Sequence, residues 1–256
     1  MRFRSPAEWD KQSVKAVALL EKLWAAHPDQ HQVRLLLARA HRNRYYADRV
    51  RHRIEQANAE LQTAIDHLTA LGEADSDSPT YRFELADLLC LPLATATPQA
   101  LNEETISRLE RSIALSGKLL SESPTIPEYQ ALLGMALRRL ATMHQSANKV
   151  DLAEGEYRRA IDIQRPLATR YPSTSIHQVS YVKSLAGLAD LDKGRGRIPE
   201  AREGLDRAIG VLQDFLHQHG EDHLLNSFKD RLQKRRDKLH EPMAPPSAEP
   251  ATTPAT

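Results

Sequence analysis

AEGEYRRAIDIQ, residues 153–164, and AREGLDRAIGVL, residues 201–212, are one phrase written twice, 48 residues apart. In each, a small residue, a bulky one, a small one and isoleucine follow at spacings of four, three and one: Ala153, Tyr157, Ala160, Ile161 and Ala201, Leu205, Ala208, Ile209. Those spacings trace one face of a helix. The same interval toward the N-terminus finds Ile113 and Ile65, with Val17 one step earlier. The small positions hold as well, at Ala16, Ala64 and Ser112 and at Ala57 and Thr105, as do the bulky ones at Leu61 and Leu109. A second set keeps the same interval: Leu37, Leu85, Leu133 and Tyr181, each followed by a small or β-branched residue. Two helices therefore make one unit. Pro28, Pro124 and Pro172 share a turn register, and the run DSDSP ending at Pro79 replaces the proline missing near 76.

This pattern predicts an all-α solenoid of antiparallel helix pairs, about four units with terminal helices. Helices are expected over 6–27, 30–46, 50–71, 79–91, 99–121, 127–146, 150–171, 175–193, 198–218 and 221–240. Pro166 removes a backbone bond within one of them, where a kink near Asp162 is expected. Pro92 and Pro98 bracket LPLATATP and predict a shortened helix with a longer connection. Residues 1–240 form the repeat domain, and the proline-rich 241–256, EPMAPPSAEPATTPAT after His240, is expected to be disordered.

Composition narrows the function classes. Lys plus Arg number 35 against 34 Asp plus Glu, a net charge of +1, so no global field draws in nucleic acid or anionic lipid. A lone Cys90 excludes an intrachain disulfide and a Cys-based zinc site, and fits a reducing compartment. The opening MRFRSPAEWD lacks the apolar core of a signal peptide, and no apolar run is long enough to span a bilayer. The expectation is a cytoplasmic protein without a membrane segment.

The small, aromatic, small triplet Ala153, Tyr157, Ala160, with Leu140–Ala141 and Leu188–Ala189 twelve residues upstream of the first alanine in their units, resembles the tetratricopeptide (TPR) repeat. Arg44–Tyr45 and Pro92–Leu93 depart from that pattern in the first two units. The family's unit is 34 residues, so this one adds two turns to each helix. Phrases such as SPTIPEYQALLG and AEGEYRRAIDIQ also resemble repeat regions attached to planctomycete-type bacterial serine/threonine kinases and sigma-factor regulators. The resemblance implies a right-handed superhelix that acts as a non-catalytic protein-interaction scaffold, expected to belong to a larger signalling protein. It further implies that the first helices line a concave groove through Arg42, Asn43 and Tyr46, then Arg138, Arg139, Thr142 and Gln145, then Asp190 and Lys193. Guanidinium forks there suit a peptide bearing carboxylates. The bland alternative is that these arginines only pack their stems and solvate their heads.

No sequence motif for chemistry rises above its surroundings. There is no phosphate loop, zincin motif, nucleophile elbow or kinase motif. Gly194 and Gly196 in KGRGRIPE mark a turn. His217, His219 and His223 straddle Gly220 and read as a solvated loop; no metal or cofactor is expected. Residues 39–53, RAHRNRYYADRVRHR, form a basic edge with interleaved tyrosines, the ground for an alternative reading as a nucleic-acid-binding repeat.

Overall fold

The computed structural model describes residues 6–93 and 102–240. Among these, every regular element is helical: α1 (Pro6–Ala26), α2 (His31–Val50), α3 (Ile54–Ala74), α4 (Pro79–Cys90), α5 (Asn102–Glu122), α6 (Pro127–Ser146), α7 (Val150–Arg170), α8 (Ser175–Gly194), α9 (Ile198–His219) and α10 (His223–Asp237), closed by a 3₁₀ turn over Lys238–His240. Four pairs stack in order, α2/α3, α4/α5, α6/α7 and α8/α9, with α1 packed on α2 and α10 covering α9. First helices also touch across units, α4 on α6 and α6 on α8. The expected tail at 241–256 and the latter part of LPLATATP lie outside the described residues.

The 48-residue register is a register of burial. Ala57, Ala153, Ala201, Ala64, Ala160 and Ala208 are fully buried, because a methyl group is all that fits between helices this close. Ser112 occupies the same slot and donates its hydroxyl to the Ala86 carbonyl at 2.7 Å, so the polar atom is satisfied. The bulky members Leu61, Tyr157 and Leu205 fill the adjacent layer. Each such leucine contributes about 1.5–3 kcal/mol of burial. In α1 the slot of Ala57 holds Trp9, which stays 38% exposed.

The turns inside three pairs also repeat. His52, Asn148 and Gly196, two periods and then one period apart, adopt positive φ of 57°, 57° and 74°. In each, the next amide returns to a carbonyl five residues back: Arg53 to Asp48 at 2.9 Å, Lys149 to His144 at 2.8 Å and Arg197 to Asp192 at 2.9 Å. The positive-φ amides bond three residues back, to Arg49, Gln145 and Lys193. These two bonds make a Schellman motif, which satisfies the last carbonyls of the first helix and launches the second without a side-chain cap. The motif also explains a boundary. α2 runs to Val50, not to 46, because its stop is set by His52 and not by the tyrosine pair.

Side chains from the turns lock unit to unit. Arg53 bridges Asp48 at 2.8 Å and Asp10 of α1 at 2.6 Å, and Arg51 reaches Asp10 at 3.2 Å. Three periods further on, Arg197 bridges Asp192 at 2.6 Å and Glu154 at 3.0 Å, and Arg195 reaches Glu154 at 2.7 Å. The hydrogen bond from Arg197 outweighs burial and holds the Glu154 carboxyl below its ordinary value of 4.5. A depressed carboxyl contributes stability that is complete above its unfolded value and is lost as pH falls through its folded one. Glu154→Gln is therefore expected to cost about 1–3 kcal/mol at pH 7, with the gap to the parent protein narrowing below about pH 4.5. Urea melts at about pH 7 and about pH 3.5 check this; an equal gap at both would contradict it.

The second unit departs from its siblings. Ser78 caps α4 and Pro79 opens it, but Pro92 allows no Schellman turn, and the helix ends at Cys90 after 12 residues. Neighbours satisfy its carbonyl end instead: Arg108 donates to Leu88 at 3.2 Å, Arg139 to Cys90, and the Tyr45 hydroxyl to Pro92. The Arg44–Tyr45 departure has an equally local basis. Tyr45 is fully buried, and Arg44 meets Asp10 at 2.6 Å and Asp48 at 3.1 Å. α7 continues through Pro166 to Arg170, so the unmade bond at the Asp162 carbonyl does not end that helix.

Candidate functional site

The face where α4, α6 and α8 lie side by side carries a pocket of about 390 Å³ at the N-terminal halves of these helices. Phe83, Ala131, Met135 and Ile176 give it apolar walls, and Asp87 and His177 border it. Phe83 stands 5.6 Å from Tyr129 in ring contact, which fixes that wall, whereas Ile176 is 67% exposed. An isoleucine this open on a first helix has no packing reason.

Toward the C-terminal ends of the same helices the face becomes cationic. Arg138 and Arg139 follow Met135 by one helical turn on α6, and Lys183 follows Ser180 by one turn on α8. Burial lowers Arg138 from its ordinary value, with Arg139 adding repulsion. Loss of water lowers Lys183 too, and both guanidinium groups add to the effect. The Arg138 Nε is buried without a partner among the described residues. Tyr157 reaches through from α7 and joins Thr142 at 3.1 Å and Gln145 at 3.0 Å. Burial raises the Tyr157 hydroxyl, so it stays protonated and donates.

Of the residues expected to face a groove, the structure brings Tyr46, Arg138, Arg139, Thr142 and Gln145 to this region. Tyr46 is 37% exposed; burial and then the Asp87 charge raise its hydroxyl. Arg139 is shared between the face and the frame, since one N–H caps the Cys90 carbonyl. Arg235, two periods further on, makes the same bond to Ala186, at 3.0 Å. The others stand differently. Arg42 is neutralised by Glu84 at 3.2 Å and Asp87 at 3.3 Å, with Asn43 exposed beside it. Asp190 pairs with Arg235 of α10, and Lys193 borders the small cleft at that seam. Sequence reasoning missed Phe83, Asp87, Met135, Ile176 and Lys183. Asp87, Met135 and Lys183 are themselves 48 apart, so one more register of the same period contained the signal.

The basic edge over 39–53 is a set of internal ion pairs. Arg39 binds Glu84 at 2.7 Å, Arg42 is paired as above, Arg44 meets Asp10 and Asp48, and Arg51 and Arg53 meet Asp10. Arg49 lies over the Tyr45 ring and donates to its hydroxyl. Arg39, Arg42, Arg44, Arg51 and Arg53 are thus paired with carboxylates within the array. Among the described residues no group of three or more His, Cys, Asp and Glu side chains is placed to hold a metal, and no helix is long and apolar enough to cross a membrane. Cys90 is buried, and loss of water raises its thiol to about 11, which keeps it unreactive.

No family model matches the chain, and no curated protein does. Solved structures do. The crystal structure of BtubC (BKLC) from P. vanneervenii aligns with a TM-score of 0.56 at 13% identity, covering 99% of this chain and 100% of that one. TTC0263, a thermophilic TPR protein in Thermus thermophilus, aligns at 0.41 and 14% identity, covering 90% and 100%. Yeast Tom70 aligns at 0.21 and 12%, covering 89% and 60%. At 13% identity the first is a likeness of fold. The chain is an all-helical solenoid of stacked antiparallel helix pairs.

Proposed function

We propose that this chain is a non-catalytic scaffold that binds a protein or peptide partner on the face formed by its first helices. The observation that supports this most is a contrast of pairing. Around the turns and unit seams guanidinium groups meet carboxylates, as Arg53 and Arg197 do. On the inner face of α6 and α8, Arg138 and Lys183 have no such partner among the described residues, and they adjoin an open apolar pocket. Solenoids present extended concave surfaces of this kind to partners. A role as the regulatory repeat region of a larger signalling protein rests on the sequence resemblance alone.

The test is affinity capture from native lysate, with and without nuclease, comparing the parent chain, Arg138→Glu with Lys183→Glu, and Lys15→Glu with Lys22→Glu on exposed α1 as a charge-matched control. A discrete protein that is retained by the control, lost with the inner-face variant and indifferent to nuclease is the expected result. Equal retention by both variants would remove the inner face from the function.

A further inference from the structure

One register of the repeat holds Glu60, Arg108, Glu156 and Gly204 in the four successive units. The first three side chains are used inside the array. Glu60 meets His41 at 2.6 Å, Arg108 donates to the Leu88 carbonyl at 3.2 Å, and Glu156 meets His144 at 2.9 Å. Gly204 brings no side chain, and a pocket of about 270 Å³ lies beside it, lined by α7, α8 and α9. Its α8 residues, Leu185, Leu188, Ala189 and Asp192, stand on the helix face opposite Ile176 and Lys183, so the pocket is separate from the inner face.

The first unit shows how such a slot is filled. Asp48 there takes two guanidinium groups, Arg44 at 3.1 Å and Arg53 at 2.8 Å, and Arg44 also reaches Glu60 at 3.5 Å. Three periods further on, the places of Arg44, Asp48, Arg53 and Glu60 belong to Leu188, Asp192, Arg197 and Gly204. Asp192 keeps Arg197 at 2.6 Å, but the cation that Arg44 supplies in the first unit is replaced by leucine. Leu188, Asp192 and Gly204 all line the pocket, so the lost guanidinium and the open volume fall at one place. The rim is acidic. Glu200 and Glu203 stand one turn apart on α9, where the first unit has Gln56 and Ala59, and neither they nor Asp162 of α7 form an ion pair among the described residues. The two basic residues of the lining are engaged: Arg158 with Glu154 at 2.5 Å, and Arg207 over the Tyr181 ring at 5.5 Å. Tyr181, one turn before Leu185 on the same face of α8, is buried with its hydroxyl unpartnered among the described residues, a further acceptor left open.

We infer that this pocket is a second binding site, independent of the inner face, for the arginine side chain of a basic peptide segment. The methylene stem lies against Ile161, Leu185 and Leu188, and the guanidinium takes the place that Arg44 has in the first unit, beside Asp192, with Glu200 and Glu203 at the rim. A planar fork of N–H groups serves two carboxylates at once, which an ammonium group does not. The α-carboxylate of a free amino acid would meet the same rim acids, which selects an arginine held within a chain.

The experiment titrates Nα-acetyl-arginine amide into the isotope-labelled full chain and follows the backbone amides by NMR. Saturable shifts are expected at residues 185–192 and 200–207, with a Kd on the order of 1 mM for a probe of this size. The neutral isostere Nα-acetyl-citrulline amide is expected to bind about tenfold more weakly or worse, and free arginine more weakly than the blocked form. Gly204→Gln, which fills the pocket, and Leu188→Arg, which supplies the guanidinium from within, are each expected to abolish the shifts. A β-carbon at 204 would stand 3.2 Å from that of Ala189, so the exposed pair Glu200→Gln with Glu203→Gln, expected to weaken binding by about tenfold, tests the site without touching that helix contact. Equal binding of the citrulline probe, arginine binding indifferent to Glu200→Gln with Glu203→Gln, or no saturable shift at these residues would overturn the inference. Free arginine binding as tightly as the blocked form would overturn the peptide source and make the ligand a small molecule.

Discussion

Asp48→Ala is expected to lower the unfolding free energy by about 3–5 kcal/mol. The carboxylate is fully buried and meets Arg44 at 3.1 Å and Arg53 at 2.8 Å, and its backbone carbonyl accepts the turn amide of Arg53. Burial, with repulsion from Glu60 and Asp10, raises this carboxyl above its ordinary value against the pull of Arg44 and Arg53. Removing it leaves Arg44, itself nearly buried, with Asp10 and Glu60 as its remaining acids. The loss comes from the charge-assisted bonds to Arg44 and Arg53 broken at a fully buried position and from the weaker compensation left to Arg44. Urea unfolding at about pH 7 measures it, and Asp48→Asn, which keeps the volume, should recover only part. A loss under about 1 kcal/mol would mean that the α1–α2–α3 junction does not depend on this network.

Gly187→Ala is expected to destabilise by about 1–3 kcal/mol, or roughly 3–9 °C in Tm, although alanine is the better helix former. A β-carbon at 187 on α8 would press on Cε1 of Tyr157, lying 2.6 Å from Cζ and 2.8 Å from the hydroxyl oxygen of that ring. The tyrosine has nowhere to go without breaking its bonds to Thr142 and Gln145. The repeat itself contains the compensating pairs. Leu61 stands with Leu91, Leu109 with Arg139, and Leu205 with Arg235, each 30 residues apart, whereas Tyr157 stands with Gly187. A large second-helix residue goes with an absent side chain on the next first helix. In a Tyr157→Leu background the same Gly187→Ala change is therefore expected to be neutral or to stabilise by up to about 1 kcal/mol. A penalty that persists in that background would place its cause outside the ring contact.

The fold was legible because its determinants are periodic. Alanines at 57, 153 and 201 and isoleucines at 65, 113, 161 and 209 mark one helix face, and the structure buries the alanines and packs the isoleucines in register. Boundaries were less legible where a residue other than glycine carries the turn. His52 and Asn148 take the left-handed conformation that Gly196 announces openly. The site was legible in part. Charge along a sequence says nothing of what each charge meets, so Arg42 and Arg51 read as a free basic edge although Glu84, Asp87 and Asp10 neutralise them from distant points of the chain. Arg138 emerged because it follows the leucine and small-residue register, and Lys183 did not because it lies one turn earlier, on the register of Asp87 and Met135.

The most direct measurement of the central claim is site-specific photocross-linking in native lysate, with the photoreactive residue placed in one chain at Ile176 and in another at Leu152, both open side chains, the first on the inner face and the second at the start of α7. The account predicts a discrete protein adduct at Ile176 that disappears with Arg138→Glu and Lys183→Glu, and none at Leu152. Adducts of equal yield at both positions, or an Ile176 adduct untouched by the charge reversal, would contradict it.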